Sequence, residues 1–484
     1  MIQKKSIGIN ACMSVLNSIM SIVFPLITFP YITRIFGVED LGKYNFAKNF
    51  VDIFCTLAFL GIPTYAIREG AKIRDNKEKI DNLLSELFTI GLYSSIIISF
   101  LTITISFGVP ALHKYTILIS IFTVIIPFKM MGQEWIYNIY EDFTAFSLIS
   151  VMMNAISIVL MFIFIHTQKD LKAYALITVI STAGVNIIMF FYGQRYCKVR
   201  ILKRTNLKKH GKAIFVLFST YISVMIYNKT DTALLGLLCG DYQVGIYSVS
   251  TKIYNMIKTC LLALTNVLQA QAVINMASKQ QDRINEYLNK CFNLILTFVM
   301  PCIFGIMITS SDIIELISGD AYLSARNSLI ILSIALFFSL FSTMQSSCIL
   351  IPNGDEIFTL KGAIYGATVN FASNFICIPL WKENGAALTT LIAEAVVFFY
   401  YFKRCKRYYK YRDFKFLSKC ITCCLIMSML TYFFRIFVNP LILRIVIEIV
   451  IAVVVYSFLQ VLTKNPFAID ALHRMKEKYY GTQH

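Results

Sequence analysis

The residues able to do chemistry here are ionisable side chains set inside long apolar runs. They are Asp52, Lys129, Lys229, Asp231, Lys252, Lys258, Glu394 and Glu448, with Arg34 at the end of the first run. A charge in hydrocarbon is expensive, so such residues turn toward the protein interior or an aqueous cavity. Lys129, Lys229 and Lys258 fall near the middle of their runs, too deep for an ammonium to reach the interface along its own stem. Two readings are open. In one, Lys229, Lys252 and Lys258, opposed locally only by Asp231, build an electropositive cavity suited to an anionic headgroup. Asn255 and Thr259 follow Lys252 at i+3 and i+7 and extend one polar helix face. In the other, each lysine pairs with an acid and merely holds a helix bundle together.

The elements that must position these residues are membrane helices. Of 484 residues, 57% are hydrophobic and 15% charged, against about 45–50% and 25% in soluble domains. Mean hydropathy is +0.66. Apolar runs of about twenty residues, each long enough to cross roughly 30 Å of hydrocarbon, recur from end to end. They predict an all-α polytopic membrane protein with about fourteen spans. Sorting Lys and Arg by loop gives a roughly threefold excess on one side, which places that side, and both termini, in the cytoplasm. The basic stretches 193–212 and 403–419 carry much of this bias. They serve as topological anchors, with contact to anionic membrane lipids as the functional alternative. The net charge of +18 is therefore orientation rather than a nucleic-acid footprint, and no nucleic-acid-binding module is present.

A repeated corner organises the spans. Gly37, Gly42 and Tyr44 form the pattern G-x-x-x-x-G-x-Y, which returns as Gly240, Gly245 and Tyr247. Each copy sits between two apolar runs, as the outer corner of a helical hairpin does, and two copies in matching context point to duplication. From the second corner, Asp231 and Lys252 lie about ten residues away on either side. At 1.5 Å per residue they share a depth of roughly 12–15 Å, and Asp231 is expected to neutralise Lys252 or Lys229.

No catalytic motif is present. There is no P-loop for ATP, no H-E-x-x-H and no Cys/His cluster, so no metal site and no cofactor are expected. The outer loops are short, the longest at about 310–326, which disfavours an enzyme such as a membrane polysaccharide polymerase.

The stretches PLITFPYITRIFGVEDLGKYNFAKNF with LGIPTYAIREGAKIRDN, and NKTDTALLGLLCGDYQVGIYSVSTKIYNM, closely resemble the first two and the seventh and eighth spans of bacterial Wzx-type polysaccharide repeat-unit flippases. These belong to the multidrug/oligosaccharidyl-lipid/polysaccharide exporter superfamily. The resemblance implies two pseudo-symmetric six-helix lobes, 1–204 and 205–403, around a central cavity, with two appended helices and a cytoplasmic tail in 404–484. It implies a non-enzymatic transporter of the bacterial cytoplasmic membrane whose cargo is an undecaprenyl-pyrophosphate-linked oligosaccharide. A polysaccharide polymerase and chain-length machinery are the implied partners. Arg34, Lys229, Asp231 and Lys252 fall at positions expected at or near the cavity; Asp52, Lys129, Asn255, Lys258 and Glu394 join them as cavity candidates. A cation-coupled multidrug exporter and a peptidoglycan-precursor flippase share the fold as alternatives, and the central lysines argue against cationic drugs.

Overall fold

The computed structural model describes residues 7–203, 205, 207–277, 280–409, 411, 413–470 and 473. The first six residues and most of the tail lie outside the described residues. Among the described residues every regular element is a helix. Lipid offers no hydrogen-bond partner, so a spanning backbone must satisfy itself within a helix. The chain forms two compact units, Met1–Gly245 and Ile246–His484.

The first unit opens with α1 (Ile7–Ile35), which keeps Pro25 and Pro30 inside it. Around them threonine hydroxyls bond back one turn along the helix: Thr28 donates to the Phe24 carbonyl at 3.0 Å and Thr33 to that of Phe29 at 3.0 Å. Next come α2 (Val38–Phe59) and α3 (Ile62–Ile73), which together form one stretch broken at Leu60 and Gly61. Both of those residues have positive φ, 52° and 77°, and Pro63 then restarts the helix in its first turn. Helix α4 (Lys77–Gly108) is continuous. The fourth span is assembled from a 3₁₀ turn and the short helices α5 (Thr116–Thr123), α6 (Ile125–Met131) and α7 (Glu134–Ile139), with Gln133 left-handed at φ 48° between the last two. Helices α8 (Phe143–Phe164), α9 (Leu171–Gly193) and α10 (Leu207–Cys239) complete it, and α11 (Asp241–Ala277) begins at its end. Its core gathers Ile62, Leu84, Leu87, Met130, Trp135 and Met189. Apolar residues on the outside, such as Ile97 and Phe100, are exposed because their solvent is lipid.

The second unit holds the rest of α11, then α12 (Gln281–Ser318), α13 (Ala325–Met344) and α14 (Glu356–Cys405). Helices α15 (Phe414–Arg435) and α16 (Leu441–Leu462) end it. α14 is a hairpin, not a rod. Lys382 is non-helical at φ 50°, ψ −125°. Beyond it Thr389 donates to Asn374 Oδ1 at 2.6 Å and Tyr401 to the Thr359 carbonyl at 2.7 Å. In a straight helix residues that far apart along the chain would be separated by roughly 20 Å and 60 Å. A Cβ on Gly385 would stand 2.0 Å from the Cys377 carbonyl, so glycine lets the returning arm close. Among the described residues twelve helical stretches are long and apolar enough to cross a membrane. Counting the two arms of α14 separately, and adding α10, recovers the fourteen expected spans. The polar segment 310–326, expected as the longest outer loop, is instead helical through Ser318.

Candidate functional site

In the first unit the deep charges converge on Asp52. Its Oδ2 accepts from Lys48 Nζ, one turn earlier on α2, at 3.3 Å and from Lys229 Nζ of α10 at 3.2 Å. Asn49 fixes the pairing by donating its amide to the Lys229 carbonyl at 2.9 Å. Lys129, in the short helix α6, makes no direct ion pair among the described residues. Its ammonium stands 5.8 Å from the Phe59 ring centroid, and its field reaches Asp52 along with those of Lys48 and Lys229. Two ammonium groups therefore contact one carboxylate and a third acts on it from farther off, on a chain of helices broken at Gln133. Broken helices are where transport folds line their sites. Lys48 was missed by sequence reasoning because it lies close to the end of its span. The i,i+4 spacing to Asp52 was the available signal.

The second unit is different. Lys258 of α11 meets Glu394, on the second arm of α14, at 3.1 Å, and its ammonium lies 5.4 Å from the Tyr254 ring. Glu394 is buried, so this is a one-to-one pair that leaves no spare charge. Lys252 is half-buried and Asn255 exposed, on the same helix. Arg34 is exposed and donates Nη1 to the Pro30 carbonyl at 3.0 Å, in the last turn of α1. Asp231 is buried, and the ion partner of Lys229 is Asp52 rather than Asp231.

The two corners meet each other. A Cβ on Gly42 would lie 1.9 Å from the Asp241 carbonyl oxygen, and one on Gly245 would lie 2.1 Å from that of Val38. In the register of the repeat Val38 corresponds to Asp241 and Gly42 to Gly245, so the contact is reciprocal. Backbone approaches this close are the usual reason for small residues between membrane helices. Gly37 and Gly240 precede the two helices, Gly240 with φ 88°. The Asp241 side chain accepts from Lys114 at 2.7 Å and from the Tyr115 hydroxyl. The tyrosines of the motif repeat their roles too. The Tyr44 hydroxyl bonds Thr178 of α9 at 2.8 Å, and the Tyr247 hydroxyl bonds Thr390 of α14 at 3.4 Å.

A family model described as polysaccharide biosynthesis protein matches residues 5–269. The chain belongs to that family. A relative named putative O-antigen transporter, from Escherichia coli strain K12, is 22% identical over 390 residues, covering 78% of this chain and 91% of its own. The capsular polysaccharide biosynthesis protein CapF of Staphylococcus aureus is 24% identical over 400 residues, covering 80% and 97%. Among solved structures, lipid II flippase MurJ in an inward closed conformation superposes with a TM-score of 0.76 at 18% identity, covering 95% of this chain and 99% of that one. An inward-facing multidrug resistance MATE family transporter of the MOP superfamily gives 0.61 at 15% identity, covering 82% and 97%. This member of the polysaccharide biosynthesis protein family thus has the MOP transporter fold, as its sequence implied.

Proposed function

We propose that this chain is a flippase moving undecaprenyl-pyrophosphate-linked oligosaccharide repeat units from the inner to the outer leaflet of a bacterial cytoplasmic membrane. The observation that carries the reading is the cluster around Asp52, where Lys48, Lys229 and Lys129 supply more positive charge than one carboxylate neutralises. Net positive charge at membrane depth is stabilised by an anionic ligand, and pyrophosphate is one. Family membership and the names of the relatives support a polysaccharide cargo. The functional halves are the lobes 1–204 and 205–403, with 404–484 appended and both termini cytoplasmic. They rock so that the cavity opens to each side in turn, with Lys252, Asn255 and Arg34 as candidates for the polar route. The polyprenyl tail stays in lipid. A polysaccharide polymerase and chain-length machinery receive the product.

Deleting the protein from its host should stop surface polysaccharide while lipid-linked repeat units accumulate on the inner face. Normal arrival of unpolymerised units at the outer leaflet would overturn the reading. The likeness to the lipid II flippase structure favours one second reading, a peptidoglycan-precursor cargo. In that case the deletion strain accumulates the peptidoglycan precursor instead.

A further inference from the structure

The last two helices are held to α12 by buried charges. Arg435, in the last turn of α15, donates Nη1 to the Ile308 carbonyl at 2.7 Å and sets Nη2 2.9 Å from Asp312 Oδ2. Arg444, near the start of α16, places Nη2 2.6 Å from Asp312 Oδ1 and 3.9 Å from Glu315 Oε2. Glu448 follows Arg444 by four positions and so shares its face of α16. Its Oε1 lies 3.7 Å from Arg435 Nε, beyond hydrogen-bond distance, and its side chain is 1% exposed. Asp312 is buried to the same degree.

Two facts about this group disagree with a fully ionised state. Both carboxylate oxygens of Glu448 lack a hydrogen-bond donor, and Asp312 Oδ2 makes no hydrogen bond of proper geometry either. Buried polar atoms are almost always satisfied. Here the unsatisfied atoms are oxygens of two acids that share the Arg435 guanidinium, together with the Nε of Arg444. The Arg444 Nε–H meets neither acid, and two neighbouring carboxyls left without a donor are what a missing hydrogen looks like, since a protonated carboxyl becomes a donor. The charges agree. The groups of the contact are Asp312 and Glu315 from α12, Arg435 from α15, and Arg444 and Glu448 from α16. Fully ionised, they set two guanidinium groups against three carboxylates. One proton makes the contact neutral.

We propose that the Glu448–Asp312 pair is a proton-binding site, and that the seating of α15 and α16 against α12 is proton-linked. The proton is held by the pair rather than by either residue alone. With it, Glu448 donates to Asp312 and the three helices pack without net charge. Its release to water leaves a carboxylate facing a carboxylate in a dry contact, which drives the helix pair away from α12. The site sits outside the Asp52 cluster and does not depend on the cargo assigned above.

The test uses the purified full-length protein in lipid nanodiscs. Infrared spectra of isotope-labelled glutamate should show the carbonyl band of a protonated carboxyl at neutral pH, and Glu448→Gln should remove a band of that kind. Asp312→Asn should remove it as well, because Glu448 then ionises beside two guanidinium groups; this second variant serves if the first does not accumulate. Melting of the wild type should fall as pH rises above neutral, since the folded state holds a proton that the unfolded state has released. Glu448→Gln should flatten that slope. A wild-type spectrum without the band, or a band that survives both substitutions, overturns the proposal.

Discussion

Both units set a lysine in one spanning helix against a carboxylate in another, and they do so to different ends. Glu394 meets one cation, Lys258, and is 6% exposed at its side chain. Asp52 meets two, Lys48 and Lys229, and is 28% exposed while Lys229 is 37% exposed. The first arrangement is a neutral strut whose carboxylate is buried. The second keeps surplus charge at a place a ligand can reach. On the function proposed above, exposure and stoichiometry together, not the presence of a lysine in a span, are what set apart the charges offered to a substrate.

The largest effect expected from breaking this contrast is on stability. Glu394→Ala leaves Lys258 buried without a counter-ion, and loss of one partner from a buried pair costs about 3–5 kcal/mol. Thermal melting of the purified protein should fall steeply, whereas Lys258→Met with Glu394→Gln should restore most of it and keep export. An unchanged melting point in Glu394→Ala would mean that the strut carries no load. Next comes Lys229→Ala, with the opposite signature: normal abundance in the membrane, but export down by roughly ten- to a hundredfold. This is the value of one charge-assisted hydrogen bond of about 1.5–3 kcal/mol. Lys229→Arg should retain part of the activity. Export at the normal rate in Lys229→Ala would erase the distinction between the two units.

A smaller effect is expected from Lys48→Ala, since a half-exposed i,i+4 pair is worth only about 0.3–0.5 kcal/mol. Export should fall a few-fold with melting unchanged; a loss as deep as that of Lys229→Ala would make Lys48 an equal ligand. The smallest effect concerns which side of the membrane the basic linker faces. Cys197 lies in the basic linker expected in the cytoplasm, but it is fully buried and burial pushes its thiol up to about 11. A raised thiol stays protonated through neutral pH and reacts slowly with maleimide. It should label only after denaturation, and Cys405 is equally buried. Arg200→Cys, at an exposed neighbouring position, should label from the cytoplasmic side alone. Labelling from outside intact cells would invert the topology.

The spans, the all-helical class and the depth of the charges were legible because each is written in a local run of residues. Even the hairpin inside α14 was, since the polar stretch from Lys382 to Asn384 interrupts two apolar arms. Partners were not. Asp52 and Lys229 are separated by 177 positions, and nothing along the chain says which acid a lysine will find. Depth and proximity offered Asp231 to Lys252 or to Lys229; Lys229, two positions from Asp231 on the same helix, meets Asp52 instead, since side chains at that spacing face different directions. Asp312 was assigned to a loop because polar residues end an apolar run there. In the fold the helix runs on to Ser318, and Arg435 and Arg444 come to meet it.

The reciprocal glycine contact has a consequence for the order in which the protein is made. Val38 and Gly42 enter the membrane early, but the carbonyl and the glycine they pack against belong to Asp241 and Gly245. At about 5–20 residues per second, roughly 10–40 s of synthesis separate the two corners. Throughout that interval the backbone at Val38 and Gly42 stands without the partner that later packs against it. Membrane chaperones and quality-control proteases that recognise unfinished helix packing would find their target there, and a chain truncated before Asp241 would expose it permanently.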